Sequence, residues 1–379
     1  MKIAIDARGI NWYRGTGIGT YTENMLKCLL DIDKKNYYHI YWWGKNSKEF
    51  LKNNSKIILS SKKHKSFFEQ YYFPNNLIKE NIDLYHVPQN GIGINTNIPC
   101  KKIITVHDLI PYTMPETVGK SYLNKFLSDM PKLTEISDGI LTVSQWSKKD
   151  ILKFFPMDPD KIFVTPLAAD AKYQPLDKEK CNFILKKQYN IDKPFILYVG
   201  GFSPRKNVKS LIIAFSKVYR KLNKDYNLVI VGAKKDSASY LDSISTNLDI
   251  SKNIIFTGFV PEVHLPLLYN GCDVFVYPST YEGFGLPPLE AMSCGSCVIS
   301  SNLTSIPEVV GDGGLLINPY DTNSISDSIE KVLNDDKISS SLKEKALKRA
   351  SLFSWNKTAQ LTLEAYNKIL FNNKKTAHS

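Results

Sequence analysis

Long apolar runs are what this chain lacks most plainly. No stretch of its 379 residues is long and apolar enough to span a bilayer, and the opening Met-Lys-Ile-Ala-Ile-Asp enters a strand pattern without the apolar core of a signal peptide. A membrane-spanning fold is therefore not expected, and the cytoplasm is the expected compartment. Cysteine is also sparse: Cys28, Cys100, Cys181, Cys272, Cys294 and Cys297 lie scattered, which argues for reduced thiols and against a disulfide framework. Cys294 and Cys297 have Cys-x-x-Cys spacing, but no second pair or histidine cluster accompanies them, so they read as buried structural thiols. There is no zinc-finger spacing, no RNP-like aromatic motif and no basic helix, and nucleic acid is not an expected partner.

What is present describes a folded, basic, two-domain chain. The hydrophobic fraction is 43% and the aromatic fraction 12%, and the length exceeds what one ordinary core holds. Lys and Arg number 49 against 37 Asp and Glu, a net charge of +12 that favours anionic partners. Between Lys45 and Lys65 stand seven lysines against a single Glu49, a local net of +6, flanked by Tyr41, Trp42 and Trp43 and by Phe67, Phe68, Tyr71, Tyr72 and Phe73. Two readings fit: a basic and aromatic patch for an anionic membrane surface, or a solvated lysine-rich loop.

Strand and helix patterns alternate along the first half, with strands at 2–6, 38–43, 83–87, 103–108, 139–144 and 162–166 and helices at 21–32, 67–80 and 146–155. The chain then loosens through 166–175 and a polar run to Pro194, read as a linker. A second alternating series has strands at 195–199, 228–231, 254–259, 274–277, 297–300 and 315–317. Alternation of this kind implies an α/β fold of two doubly wound Rossmann-like domains, with ligands at strand C-terminal ends and a deep cleft expected between the domains. The expected domains are 1–170, 171–355 and a closing segment 356–379, whose helix carries apolar residues that need a surface to cover.

The stretch from Asp273 to Glu290 carries the clearest chemistry. An apolar strand ends at Pro278, and Gly283 and Gly285 permit a tight loop before a helix whose first turn takes Pro287 and Pro288. A glycine loop feeding a helix start suits an anionic ligand, and Glu282 with Glu290 in that first turn are expected to face one crevice. Acidic residues near a helix start also arise as ordinary dipole partners. Gly15, Gly17 and Gly19 form a second glycine loop before a helix near Tyr21. It lacks the third glycine and the distant acidic residue of a dinucleotide site, so its expected role is close backbone approach to a ligand. His107 ends a strand, with Asp108 placed to fix its tautomer or its loop, and nothing around it has metal-ligand spacing. Arg205 and Lys206 lie in Val199-Gly-Gly-Phe-Ser-Pro-Arg-Lys-Asn207, where a fork and a point charge can reach a diphosphate.

Glu282-Gly-Phe-Gly-Leu-Pro-Pro-Leu-Glu290 resembles the Glu-x7-Glu signature of retaining, nucleotide-sugar-dependent glycosyltransferases of family 4, and the flanking Tyr-Pro-Ser, Ala-Met-Ser-Cys-Gly and Ile-Pro-Glu-Val-Val-Gly follow the same order. The resemblance implies the GT-B fold, with the last helix crossing back onto the N-terminal domain. It implies a catalytic set of His107, Arg205, Lys206 and Glu282. Gly17, Gly19, Gly283, Phe284, Gly285, Leu286 and Glu290 would bind the donor, Glu290 at the ribose hydroxyls and Glu282 near the donor sugar. The chain departs from the family at Gly201, where arginine is frequent. The motifs are most similar to bacterial mannosyltransferases of polysaccharide assembly, which implies GDP-mannose as donor, a saccharide or lipid-linked acceptor, and no cofactor or metal. A nucleotide-sugar epimerase and a non-catalytic sugar-nucleotide-binding protein are the alternatives.

Overall fold

The structure is a computed structural model that describes residues 1–232 and 237–371. The chain divides into two compact units, Met1–Leu167 joined by the chain from Ser354 onward, and Ala168–Phe353. Among the described residues no helix is long and apolar enough to cross a membrane.

The first unit is built on β1 (Lys2–Asp6), β2 (Tyr37–Trp42), β3 (Ser55–Leu59), β4 (Leu84–Val87), β5 (Lys101–Val106), β6 (Gly139–Thr142) and β7 (Ile162–Val164), in the order β3-β2-β1-β4-β5-β6-β7. All pairs are parallel, with Ile3 opposite Tyr38 on one side and Leu84 on the other. Helices cover both faces, so Ile3, Ile5, Leu84, Tyr85, Ile103 and Ile140 are fully buried. β3 departs from the sequence reading, which saw only lysine-rich loop there. Its Ser-Lys-Ile-Ile-Leu is an edge strand, half-covered and carrying Lys56, which pairs with Glu80 at 2.6 Å. A charged, short edge resists pairing with other chains, and its Ile-Ile-Leu is only partly covered, with no alternation between a buried and an exposed face to mark it.

The helix Trp355–Phe371 belongs to this first unit. Thr358 Oγ1 donates to the Pro166 carbonyl, the Tyr366 hydroxyl meets His86 Nδ1 at 2.7 Å, and the helix packs against Gly17–Ile32. Gly139 makes room for it, because a Cβ there would lie 2.2 Å from Ile369 Cδ1.

The second unit holds β8 (Phe195–Val199), β9 (Asn227–Val231), β10 (Ile254–Gly258), β11 (Val274–Tyr277), β12 (Val298–Ser301) and β13 (Leu315–Ile317), in the order β10-β9-β8-β11-β12-β13. The expected linker is shorter than the sequence suggests, since Lys178–Tyr189 is a helix. Asp177 caps it by accepting from the Lys180 amide, and Asn190 ends it in the left-handed region at φ 54°. Only Cys181 and Leu185 of this helix are buried, a stripe too narrow to show as amphipathic.

In each sheet the winding direction reverses once, between β1 and β4 and between β8 and β11. Strand ends flanking such a reversal leave a crevice that loops from opposite faces cannot fill, and ligands of doubly wound sheets bind there. The segments after β8 and β11 are the ones carrying Arg205, Lys206 and Glu282.

Candidate active site

After β8 the chain makes one tight turn, Pro204–Lys206, and Asn207 then takes a left-handed conformation at φ 57°. Asn207 Nδ2 donates to the carbonyls of Pro278, at 3.2 Å, and Pro319, at 2.7 Å, while the Thr280 amide donates to the Arg205 carbonyl at 2.7 Å. The two loops at the reversal are thereby latched together. After β11, Gly285 at φ 113° starts the helix Leu286–Ser293, and a Cβ there would meet Ile306 Cδ1 at 2.7 Å. The Glu282 amide donates to Thr304 Oγ1, and Ser305 Oγ lies 2.8 Å from both the Glu282 and Phe284 carbonyls. The Phe284 ring is buried against Phe353, so any ligand contact from Phe284 falls to its backbone. Leu286 is the first helical residue, and Pro287 and Pro288 remove the next two amides as donors.

Glu282 is 8% exposed, and its Oε1 lies within hydrogen-bond distance of four donors: Lys206 Nζ at 2.6 Å, Ser279 Oγ at 2.6 Å, Arg205 Nη1 at 3.0 Å and the Tyr277 hydroxyl at 3.0 Å. Arg205 also donates to the Tyr281 carbonyl, and Lys206 also donates to the Tyr277 hydroxyl. Burial alone would raise this carboxyl, but Lys206 and Arg205 outweigh it and hold the group at about 2. Gly201 faces open space.

Glu290 sits in the second turn of its helix rather than the first, since the helix begins only at Leu286. It is 9% exposed and its partners are phenols: the Tyr269 hydroxyl donates to Oε2 at 2.9 Å, and Tyr173 is the second donor. Burial pushes the carboxyl up to about 7, which the two phenols and Lys172 oppose only in part. Arg205, Lys206 and Glu282 thus form one cluster, while Glu290 occupies a separate nest of tyrosines.

His107, Gly17 and Gly19 belong to the first unit. His107 is buried, its Nε2 lies 2.9 Å from the Pro88 carbonyl, and its amide donates to Asn90 Oδ1. A carbonyl can only accept, so Nε2 carries the proton and Pro88, not Asp108, fixes the tautomer; Asp108 instead accepts from the Ile110 amide. Burial pushes His107 down to about 4, and the bond to Pro88 offsets this only partly. Neutral His107 therefore presents Nδ1 as a hydrogen-bond acceptor. The helix expected from Tyr21 starts at Gly17, so both glycines lie in its first turn. Gly17 faces open space, whereas a Cβ on Gly19 would meet the Tyr13 carbonyl at 2.3 Å, so that glycine serves close packing of the preceding turn. Tyr21, on the same helix, sets its ring edge-on to His107 at 5.1 Å.

Residues 182–349 match the family described as glycosyl transferases group 1. The chain is 35% identical over 266 residues to O-antigen chain mannosyltransferase B of Escherichia coli, covering 70% of each protein. This chain is a group 1 glycosyl transferase. The transferase is also 34% identical over 286 residues to the serotype-specific mannosyltransferase WbdA of Escherichia coli, covering 74% of this chain and 35% of that protein. Its fold is GT-B, like that of Anabaena HepE in complex with UDP and glucose, with a TM-score of 0.75 at 18% identity over 97% of this chain and all of the other.

Several groups in the transferase escaped sequence reasoning. Arg8 is buried with Asp6 in a two-pronged pair, Nε to Oδ1 at 2.8 Å and Nη2 to Oδ2 at 2.6 Å, and reaches Glu69 at 2.9 Å. The available signal was Asp6 ending the first strand beside an arginine. Tyr277 and Ser279 stand within the quoted Tyr-Pro-Ser, yet nothing local says that both hydroxyls aim at Glu282. Tyr173 and Tyr269 lie far from Glu290 in sequence and carry no motif at all. Among the described residues no three His, Cys, Asp or Glu side chains gather as a metal site would require.

Proposed function

We propose that the transferase moves mannose from GDP-mannose to a saccharide or lipid-linked acceptor, with retention of configuration, in cell-surface polysaccharide assembly. The observation that carries this reading is the pair Arg205 and Lys206 latched beside Glu282 where the sheet reverses, supported by relatives whose names say O-antigen mannosyltransferase. As the bond between the anomeric carbon and the diphosphate oxygen breaks, negative charge grows on the phosphate. Two cations on the diphosphate stabilise it by several kcal/mol, and they take the place of a divalent metal. The acceptor oxygen bonds to the anomeric carbon from the leaving-group face, and its proton passes to the departing phosphate oxygen. Glu282 lies near the donor sugar, and Glu290 accepts from the ribose hydroxyls. Neutral His107 is able to accept a hydrogen bond from a sugar hydroxyl at Nδ1. Incubation with GDP-mannose and a methyl mannoside in excess EDTA tests the reading by NMR of the product. An α-linked disaccharide is expected; turnover that needs added Mg²⁺ or Mn²⁺, or a β-linked product, sinks it.

The acceptor reading extends to an anionic membrane surface on the cytoplasmic face. Among the described residues Lys52 forms an ion pair with Asp31, Lys56 with Glu80 and Lys65 with Glu69. Lys62 lies over the Trp43 ring, and Leu59, Phe67 and Tyr71 are more than half exposed beside it in sequence. Exposed aromatics next to lysines suit a lipid interface. Co-sedimentation with anionic vesicles should fall when Lys62, Lys63, Phe67 and Tyr71 become Ser, and equal sedimentation would leave the segment a solvated surface.

A further inference from the structure

Resting on the donor-site reading, we propose that Glu282 and the donor's diphosphate are rival counter-ions for Arg205 and Lys206, and that Tyr277 and Ser279 are positioning residues that keep the displaced carboxylate satisfied. One oxygen of Glu282 receives both cations, at 3.0 and 2.6 Å. The three charges sum to +1, whereas a nucleotide-sugar diphosphate carries two negative charges and is best matched by both cations released. Binding is then an exchange, in which Arg205 and Lys206 swing from carboxylate to phosphate.

Such an exchange fails if it strands a buried carboxylate, because an unpaired buried charge is strongly destabilising. Here two hydroxyls on the same oxygen remain: Ser279 Oγ at 2.6 Å and the Tyr277 hydroxyl at 3.0 Å. Both are buried, Tyr277 stacked between Tyr198 and Phe275, so neither follows the mobile cations. Lys206 also lies over the Tyr277 ring at 5.0 Å and donates to its hydroxyl, which gives the departing ammonium a fixed pivot. The released carboxylate is left anchored at one oxygen and able to accept from a sugar hydroxyl, which couples diphosphate arrival to readiness for the sugar.

Calorimetry with GDP on the full chain tests this, because the exchange gives opposite signs to neighbouring changes. Glu282→Gln frees the cations and should tighten GDP about tenfold, the scale of one charge-assisted hydrogen bond, while transfer from GDP-mannose falls. Ser279→Ala removes a donor from the released carboxylate and should weaken GDP severalfold. Lys206→Gln weakens GDP under the donor-site reading alone. If Lys206→Gln weakens GDP but Glu282→Gln leaves it unchanged or weaker, the exchange is overturned and the donor site stands. If Lys206→Gln has no effect, the donor-site reading falls and the exchange with it. Should Glu282→Gln fail to fold, Ser279→Ala decides: wild-type affinity for GDP overturns the proposal.

Discussion

Glu282 and Glu290 stand eight residues apart on one loop and helix, are equally buried, and are held in opposite electrostatic states. Glu282 has two cations and two hydroxyls, and its carboxyl is drawn down to about 2. Glu290 has phenols and a distant lysine, and burial lifts it to about 7. The difference teaches that desolvation raises both carboxyls, and that full positive charge at hydrogen-bond distance reverses it at Glu282. Neutral donors soften the penalty without removing it. One motif thus supplies one carboxyl held down to about 2 and one raised to about 7.

The comparison breaks most sharply if Lys206 is removed. Lys206→Ala leaves Glu282 with one cation, so its carboxyl should rise towards that of Glu290. Transfer should slow on the order of 10²–10³-fold, as when a preorganised charge-stabilising donor is lost. Steady-state kinetics check this, and a kcat within a few fold of wild type would place the diphosphate elsewhere.

Stability against pH separates the two carboxylates by sign. Glu282 is depressed when folded, so its contribution is present above about 4.5 and is lost as pH falls towards about 2. Glu290 is raised, so its contribution is complete below about 4.5 and is lost as pH rises through about 7. Glu282→Gln should therefore be less stable than wild type at neutral pH, by about 3 kcal/mol at most, with the gap narrowing below pH 4.5. Glu290→Gln should match wild type near pH 4.5 and exceed it above pH 7. Urea titrations between pH 3 and pH 8 measure both gaps; gaps that run the same way would erase the contrast.

The smallest effect sharpens it. Tyr269→Phe removes one neutral donor from Glu290 and should cost about 1 kcal/mol above pH 7, where the carboxylate is charged, and less below. A loss independent of pH would mean that the hydroxyl supports packing and not the charge.

The sequence by itself determined the strand and helix alternation, the two doubly wound sheets and the segments that follow β8 and β11. Strand patterns such as Val274–Tyr277 and Phe195–Val199 are short, apolar and bounded by Pro or Gly, so local chemistry alone marks them. It was blind at β3, an edge strand whose apolar residues are only partly covered, and at the helix Lys178–Tyr189, whose buried stripe is too narrow to register. It named Arg205, Lys206, Glu282 and Glu290, because charge beside glycine at a strand end is visible in one dimension. What only the tertiary structure decided is which of these charges meet. Whether a carboxylate sits at about 2 or about 7 depends on groups such as Tyr173, Lys206 and Tyr277, brought in from other elements across short distances. Coulomb and desolvation energies follow separation in space and access to water, and neither is written in the spacing of residues along the chain.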